Sequence, residues 1–201
     1  MAILGAVIVP HPPLIIPAVG RGREQEVQAT IDAYRTAAKQ VADWKPEVLI
    51  ITSPHQVMYA DYFHISPGRG ATGDMAAFGA SETKLRVEYD AQLRDEIIRC
   101  GESAGLQVGT LGQRDPYLDH GTFVPLYFLR EAGVDCPILR IGLSGFSPLD
   151  HYRLGQCIAQ AVENLGRRAV FIASGDLSHK LKDDGSYGFA PEGPEFDRQI
   201  T

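Results

Sequence analysis

Cysteine is scarce in this chain: three in 201 residues, at positions 100, 136 and 157. They are odd in number and widely spaced, which fits neither a disulfide framework nor a zinc knuckle. They read as reduced, mostly buried thiols of a cytoplasmic protein. Basic blocks are missing too, and the net charge is −6, so nucleic acid and anionic membrane are poor partners. No apolar run approaches the roughly 18 residues needed to cross a bilayer. The apolar start, Ile3 to Val9, has no positive leader and stops at Pro10, so it reads as a first strand and not a signal peptide. Repeats and low-complexity stretches are absent. With 44% hydrophobic and 22% charged residues, the chain has the balance of an ordinary soluble domain, long enough for one well-buried core.

What is present is a recurring design in which an apolar run ends in a histidine. Ala6-Val-Ile-Val-Pro-His11, Val48-Leu-Ile-Ile-Thr-Ser-Pro-His55 and Ala169-Val-Phe-Ile-Ala-Ser-Gly-Asp-Leu-Ser-His179 share it. Runs rich in β-branched residues with no polar break read as strands buried on both faces. Ligands of open α/β sheets bind outside the carboxyl ends of the strands. If these three strands are parallel neighbours, three imidazoles converge on one cleft. Pro12 and Pro13 hold His11 extended, and Pro54 bars continuation into helix before His55.

The remaining pattern predicts α/β architecture: a three-layer sandwich with a mostly parallel central sheet and helices on both faces. A helix over residues 24–44 carries Val27, Ile31, Tyr34, Ala38 and Val41 as one apolar stripe. Helices also read over 90–104 and 148–165, and strands over 84–89 and 137–143. Thr122 is the expected N-cap of a buried helix, with His120 at its amino-terminal end, where a neutral imidazole is favoured. Residues 61–66 suggest a short edge strand that leaves His64 on the surface, and His151 also reads as a solvated residue.

Three signals point away from other chemistries. Gly20 and Gly22 read as a plain helix-entry loop, not a phosphate cradle. Gly68-Arg-Gly-Ala-Thr-Gly73 spells a dinucleotide fingerprint, but Pro67 precedes it and no long helical pattern follows. It reads instead as a mobile loop near the mouth of the site. Gly142-Leu-Ser-Gly145 misses the spacing of a nucleophile elbow, which removes a serine hydrolase.

Imidazole binds borderline divalent metals, and two histidines plus one carboxylate leave iron three open positions for oxygen chemistry. A further histidine off the metal suits proton transfer at neutral pH. Spacing alone does not say which histidines take which role. Asp176, three residues before His179, either orients a neighbouring histidine or caps its own turn.

Taken together, Val9-Pro-His11-Pro-Pro, Ser53-Pro-His55, Leu118-Asp-His120-Gly and Ser174-Gly-Asp-Leu-Ser-His179 resemble the class III, LigB-type extradiol ring-cleavage dioxygenases. More closely they are similar to the bacterial and archaeal LigB-domain proteins related to the Memo family. The resemblance runs the whole length, as a single domain over residues 1–201. It implies Fe(II), with Zn(II) as the alternative, held by His11 and His55. It further implies His179 as catalytic acid and base, His120 lining the substrate pocket, and a small aromatic diol with O2 as reactants. A homodimer or a fused or partner domain is compatible with it. The family's third ligand, a glutamate, lies beyond the last segment read here, and neither Glu192 nor Glu195 sits in a motif that would replace it. The chain also ends one turn into a helix, so truncation at the carboxyl end is expected. Memo-like relatives lack established dioxygenase chemistry. A zinc hydrolase in the same cleft, or a pocket that recognises a peptide or partner domain, therefore stands beside the dioxygenase.

Overall fold

In the computed structural model, which describes residues 2–200, four parallel strands form the centre of the molecule. In chain order the elements are β1 (Ile3–Val9), α1 (Pro17–Gly20), α2 (Gln28–Trp44), β2 (Val48–Ser53), β3 (Phe63–His64), β4 (Gly70–Met75) and β5 (Ala80–Glu88). Then follow α3 (Ala91–Ser103), β6 (Val108–Gly109), α4 (His120–Glu131), β7 (Ile138–Gly142), α5 (Pro148–Asn164), β8 (Ala169–Ser174) and α6 (Glu192–Ile200). The central sheet has the order β1-β8-β2-β7. The expected three-layer α/β architecture is what the chain adopts.

Burial explains why the strands are apolar without alternation. Val48, Leu49, Ile50 and Ile51 are at most 1% exposed, and each such side chain contributes about 1.5–3 kcal/mol by leaving water. Leu49, Ile51, Val170 and Ile172 face a cluster that includes Ile31, Tyr34, Ala38 and Val41 of α2 and Phe123, Leu126 and Phe128 of α4. Val48, Ile50, Leu139 and Ile141 face a second cluster with Leu93 and Ile97 of α3 and Leu154, Ile158 and Val162 of α5. The apolar stripe of α2 is thus seated as its spacing requires. The helix itself begins at Gln28, because residues Arg23–Val27 are wound as a 3-10 turn.

Register aligns the strand ends. Val9 pairs with Ser174, Thr52 with Ala173, and Ser53 with Gly142. β1, β8 and β2 are therefore parallel neighbours that stop at one level, and the segments carrying His11, His55 and Asp176 leave the sheet together.

Several expectations need correction. Gly68–Gly73 is not a free loop: from Gly70 on it is β4, antiparallel to β5. The hairpin brings the Gly70 backbone so close to Val87 that a Cβ at Gly70 would lie 2.1 Å from the Val87 carbonyl oxygen. The glycine serves strand packing. His64 is not on the surface. It is 2% exposed, because β3 pairs with β6 and its neighbour Ile65 bridges to Ile141 of the central sheet. Burial, and then the nearby Arg140 charge, hold the His64 imidazole pKa below its ordinary value of 6.5.

Candidate metal centre

The site begins with Asp119, which caps α4. Its Oδ1 accepts from the Thr122 backbone N–H at 2.9 Å, and its Oδ2 accepts from the Thr122 hydroxyl at 2.7 Å. Asp119, not Thr122, is the cap, so the helix starts earlier than the sequence predicts, at His120. A carboxylate at that end also suits the helix dipole. The same Oδ2 lies 3.1 Å from Nη2 of Arg140, a guanidinium that is 1% exposed and also donates to the Tyr89 hydroxyl and the Asp115 carbonyl. Burial alone would raise the Asp119 pKa, but hydrogen bonds from Ser53 and Thr122 and the Arg140 charge outweigh it and hold the carboxyl low.

From Asp119 the network reaches the histidines through serine. Ser53 Oγ donates to Asp119 Oδ1 at 2.6 Å and accepts from the His55 backbone N–H at 3.1 Å. His120, the first residue of α4, lies tilted against His55 with ring centroids 4.0 Å apart. Gly121, the next residue of α4, packs against the end of β2. A Cβ there would lie 2.3 Å from Ser53 Oγ and 3.2 Å from His55 Cδ2, so only glycine lets the helix end approach the strand end this closely.

His11 enters from the other side and is 2% exposed. Its backbone N–H donates to Asp176 Oδ1 at 2.7 Å, its Nδ1 lies 2.9 Å from Ser174 Oγ, and its Nε2 lies 3.1 Å from His55 Nε2. Among the described residues, one group of three or more His, Cys, Asp or Glu could hold a metal ion: His11, His55 and His120, whose ligating atoms all lie within 4.8 Å of one another. Burial above all lowers the pKa values of His11 and His120 below the ordinary 6.5; Asp176 pulls His11 the other way, and repulsion from His55 adds to the lowering of both. Neutral imidazoles are the ligating form. The donor set therefore fits a borderline divalent metal such as Fe(II) or Zn(II).

His179 stands apart. Its side chain is 52% exposed, 3.6 Å from Asp176 Oδ2 and beside the Tyr187 ring. Residues 175–178 carry it outward from the end of β8, so the tight triple contains His120 instead. Of the open readings of Asp176, the structure shows orientation: one oxygen holds the His11 backbone, and the other lies 3.7 Å from His11 Nε2 and 3.6 Å from His179 Nε2. Glu195 pairs with Arg198 and Gln199 on α6 and belongs to no group of possible ligands. His151 is half-buried against Ser144 and Ser147 of its own loop and helix. Sequence reasoning missed Ser53, Ser174, Asp119 and Arg140. A serine closing each of two buried strands, and an arginine inside an apolar one, were the available signals.

The family model described as the catalytic LigB subunit of aromatic ring-opening dioxygenase matches residues 5–201, and the chain belongs to that family. Protein CA_C1420 of Clostridium acetobutylicum is 35% identical over 100% of this chain and 44% of its own length. The 2-aminophenol 1,6-dioxygenase beta subunit of a Pseudomonas species is 26% identical over 88% of this chain and 63% of its own length. The 2,3-dihydroxyphenylpropionate/2,3-dihydroxicinnamic acid 1,2-dioxygenase of Rhodococcus jostii is 27% identical, covering 84% and 54%. The chain thus spans about half the length of the curated relatives it matches.

Proposed function

We propose that this chain carries the metal centre of an extradiol ring-cleavage dioxygenase that opens a catechol-like aromatic diol, or a close aminophenol analogue, with O2. The observation that carries the reading is the convergence of buried His11, half-buried His120 and exposed His55 within 4.8 Å at the carboxyl ends of parallel strands. Family membership and the dioxygenase names of the relatives support it.

In this reading His11 and His55 would hold Fe(II), which would supply the redox chemistry between diol and O2 when bound. His120, neutral at the start of α4, lines the pocket and offers a hydrogen bond to a ring oxygen of the diol. Phe78, 5.4 Å from the His120 ring, covers it from the hairpin side. His179, half in solvent, takes a hydroxyl proton as the diol binds and returns a proton on ring opening. Asp176 orients it from the strand end. The whole protein works in the cytoplasm, alone or with a partner subunit.

A second reading follows from the donor set. Among the described residues the group of possible ligands is three imidazoles, a set that catalytic zinc takes. That favours a zinc hydrolase or a Memo-like metal protein. Metal content of protein purified without oxygen, beside His11→Ala and His55→Ala, separates the two. Stoichiometric iron that either substitution removes, with O2 uptake on catechol or 2-aminophenol, supports the dioxygenase. Zinc as the resident metal, with no O2 uptake after iron loading, overturns it.

A further inference from the structure

We propose that Ser174 is a positioning residue that locks His11 in one tautomer, with the proton on Nδ1 and the Nε2 lone pair facing the histidine cluster. The cause begins at Pro125, inside α4. Proline has no backbone N–H, so the Gly121 carbonyl four residues earlier loses its helical donor. Ser174 Oγ fills that vacancy at 2.5 Å. A carbonyl oxygen only accepts, so the single hydroxyl proton of Ser174 is committed to it.

The same Oγ lies 2.9 Å from His11 Nδ1. Having given its proton away, it accepts there, and Nδ1 must donate. A neutral imidazole carries one proton, so Nε2 keeps its lone pair. That atom is the one 3.1 Å from His55 Nε2. Asp176 does not compete for the proton, since its Oδ2 is 3.7 Å from Nε2 and its Oδ1 is taken by the His11 backbone. Ser174 and His11 are 6% and 2% exposed, which keeps bulk water from scrambling the arrangement. A proline in the middle of a helix thereby sets which nitrogen of a histidine on another strand is free to ligate.

The use of the lock rests on His11 being a metal ligand, whereas its existence does not. Long-range nitrogen-15 NMR of histidine-labelled, metal-free protein, with His11 assigned by comparison with His11→Gln, reads the tautomer directly. Wild type is expected as Nδ1–H, and an Nε2–H spectrum overturns the proposal whatever the metal does. Ser174→Ala is expected to give a mixed population and to weaken Zn(II) binding tenfold or more in direct titration. Ser174→Thr, which keeps the hydroxyl, restores both. Unchanged tautomer and affinity in Ser174→Ala also overturn it. If Ser174→Ala does not fold, the wild-type spectrum still decides. Wild type that shows Nδ1–H yet binds no metal would sink the proposed function and leave the lock standing.

Discussion

His11 and His179 follow the carboxyl ends of neighbouring strands, β1 and β8, yet their side chains are 3% and 52% exposed. His11 leaves its strand after one residue and meets fixed partners at the backbone, Nδ1 and Nε2. Residues 175–178 separate His179 from the end of β8, and it has one 3.6 Å ion-pair contact and one aromatic neighbour. In the proposed function the difference divides labour between a metal ligand and a proton carrier. A ligand must be held still and neutral, which burial and hydrogen bonds to both ends of the ring accomplish. A proton carrier needs access to water and freedom to turn.

The comparison breaks most sharply at His11. His11→Ala is expected to abolish metal binding, read as metal per chain, while His179→Ala keeps nearly all of it. Equal loss in both would erase the distinction. Next in size is Asp119→Ala, which leaves the buried Arg140 without its closest carboxylate. The loss of stability is expected to be about 3–5 kcal/mol in urea unfolding. A loss under about 1 kcal/mol, the value of an exposed pair, would mean the network is not holding the site.

Gly121→Ala sharpens the same point in the packing. Its Cβ would meet Ser53 Oγ at 2.3 Å, so the helix end must move. About 1–3 kcal/mol of destabilisation and weaker metal binding are expected, measured by thermal unfolding and metal titration. Protonation supplies a gentler probe in the metal-free protein. Burial lowers the native pKa values of His11, His64 and His120 below 6.5, so the unfolded chain binds protons first as pH falls. Stability is therefore full above pH 6.5 and declines below it toward the lowered native values, by up to about 1.4 kcal/mol per pH unit for each group. Urea midpoints between pH 8 and 5 test this, and His64→Gln should make the slope shallower. The smallest effect belongs to His179→Asn, expected to change stability by no more than about 0.5 kcal/mol. A larger loss would show that the outer histidine is part of the scaffold after all.

Much of this was legible beforehand. Unbroken apolar runs at 48–51 and 169–173 read as strands covered on both faces, and the stripe of α2 read as facing a core. The histidine-bearing strand ends then followed from how parallel sheets bind ligands. His64 was misread because β3 is paired by a segment distant in sequence, Val108–Gly109, of which a short stretch carries no record. Gly68–Gly73 was misread because its glycines read as loop, whereas from Gly70 on it pairs with the next strand, residues 80–88, as a hairpin.

Local sequence by itself determined the layered α/β class, the three strand-end histidine segments and the presence, though not the first residue, of the buried helix that follows Asp119, because hydrophobic period and proline act within a few residues. Only the tertiary structure decided which histidines meet. The order β1-β8-β2 and the seating of α4 against it bring His120 to His55, set Ser174 between Gly121 and His11, and leave His179 at the rim. Those outcomes depend on strand register and on one glycine's missing Cβ, quantities fixed by packing across the whole domain.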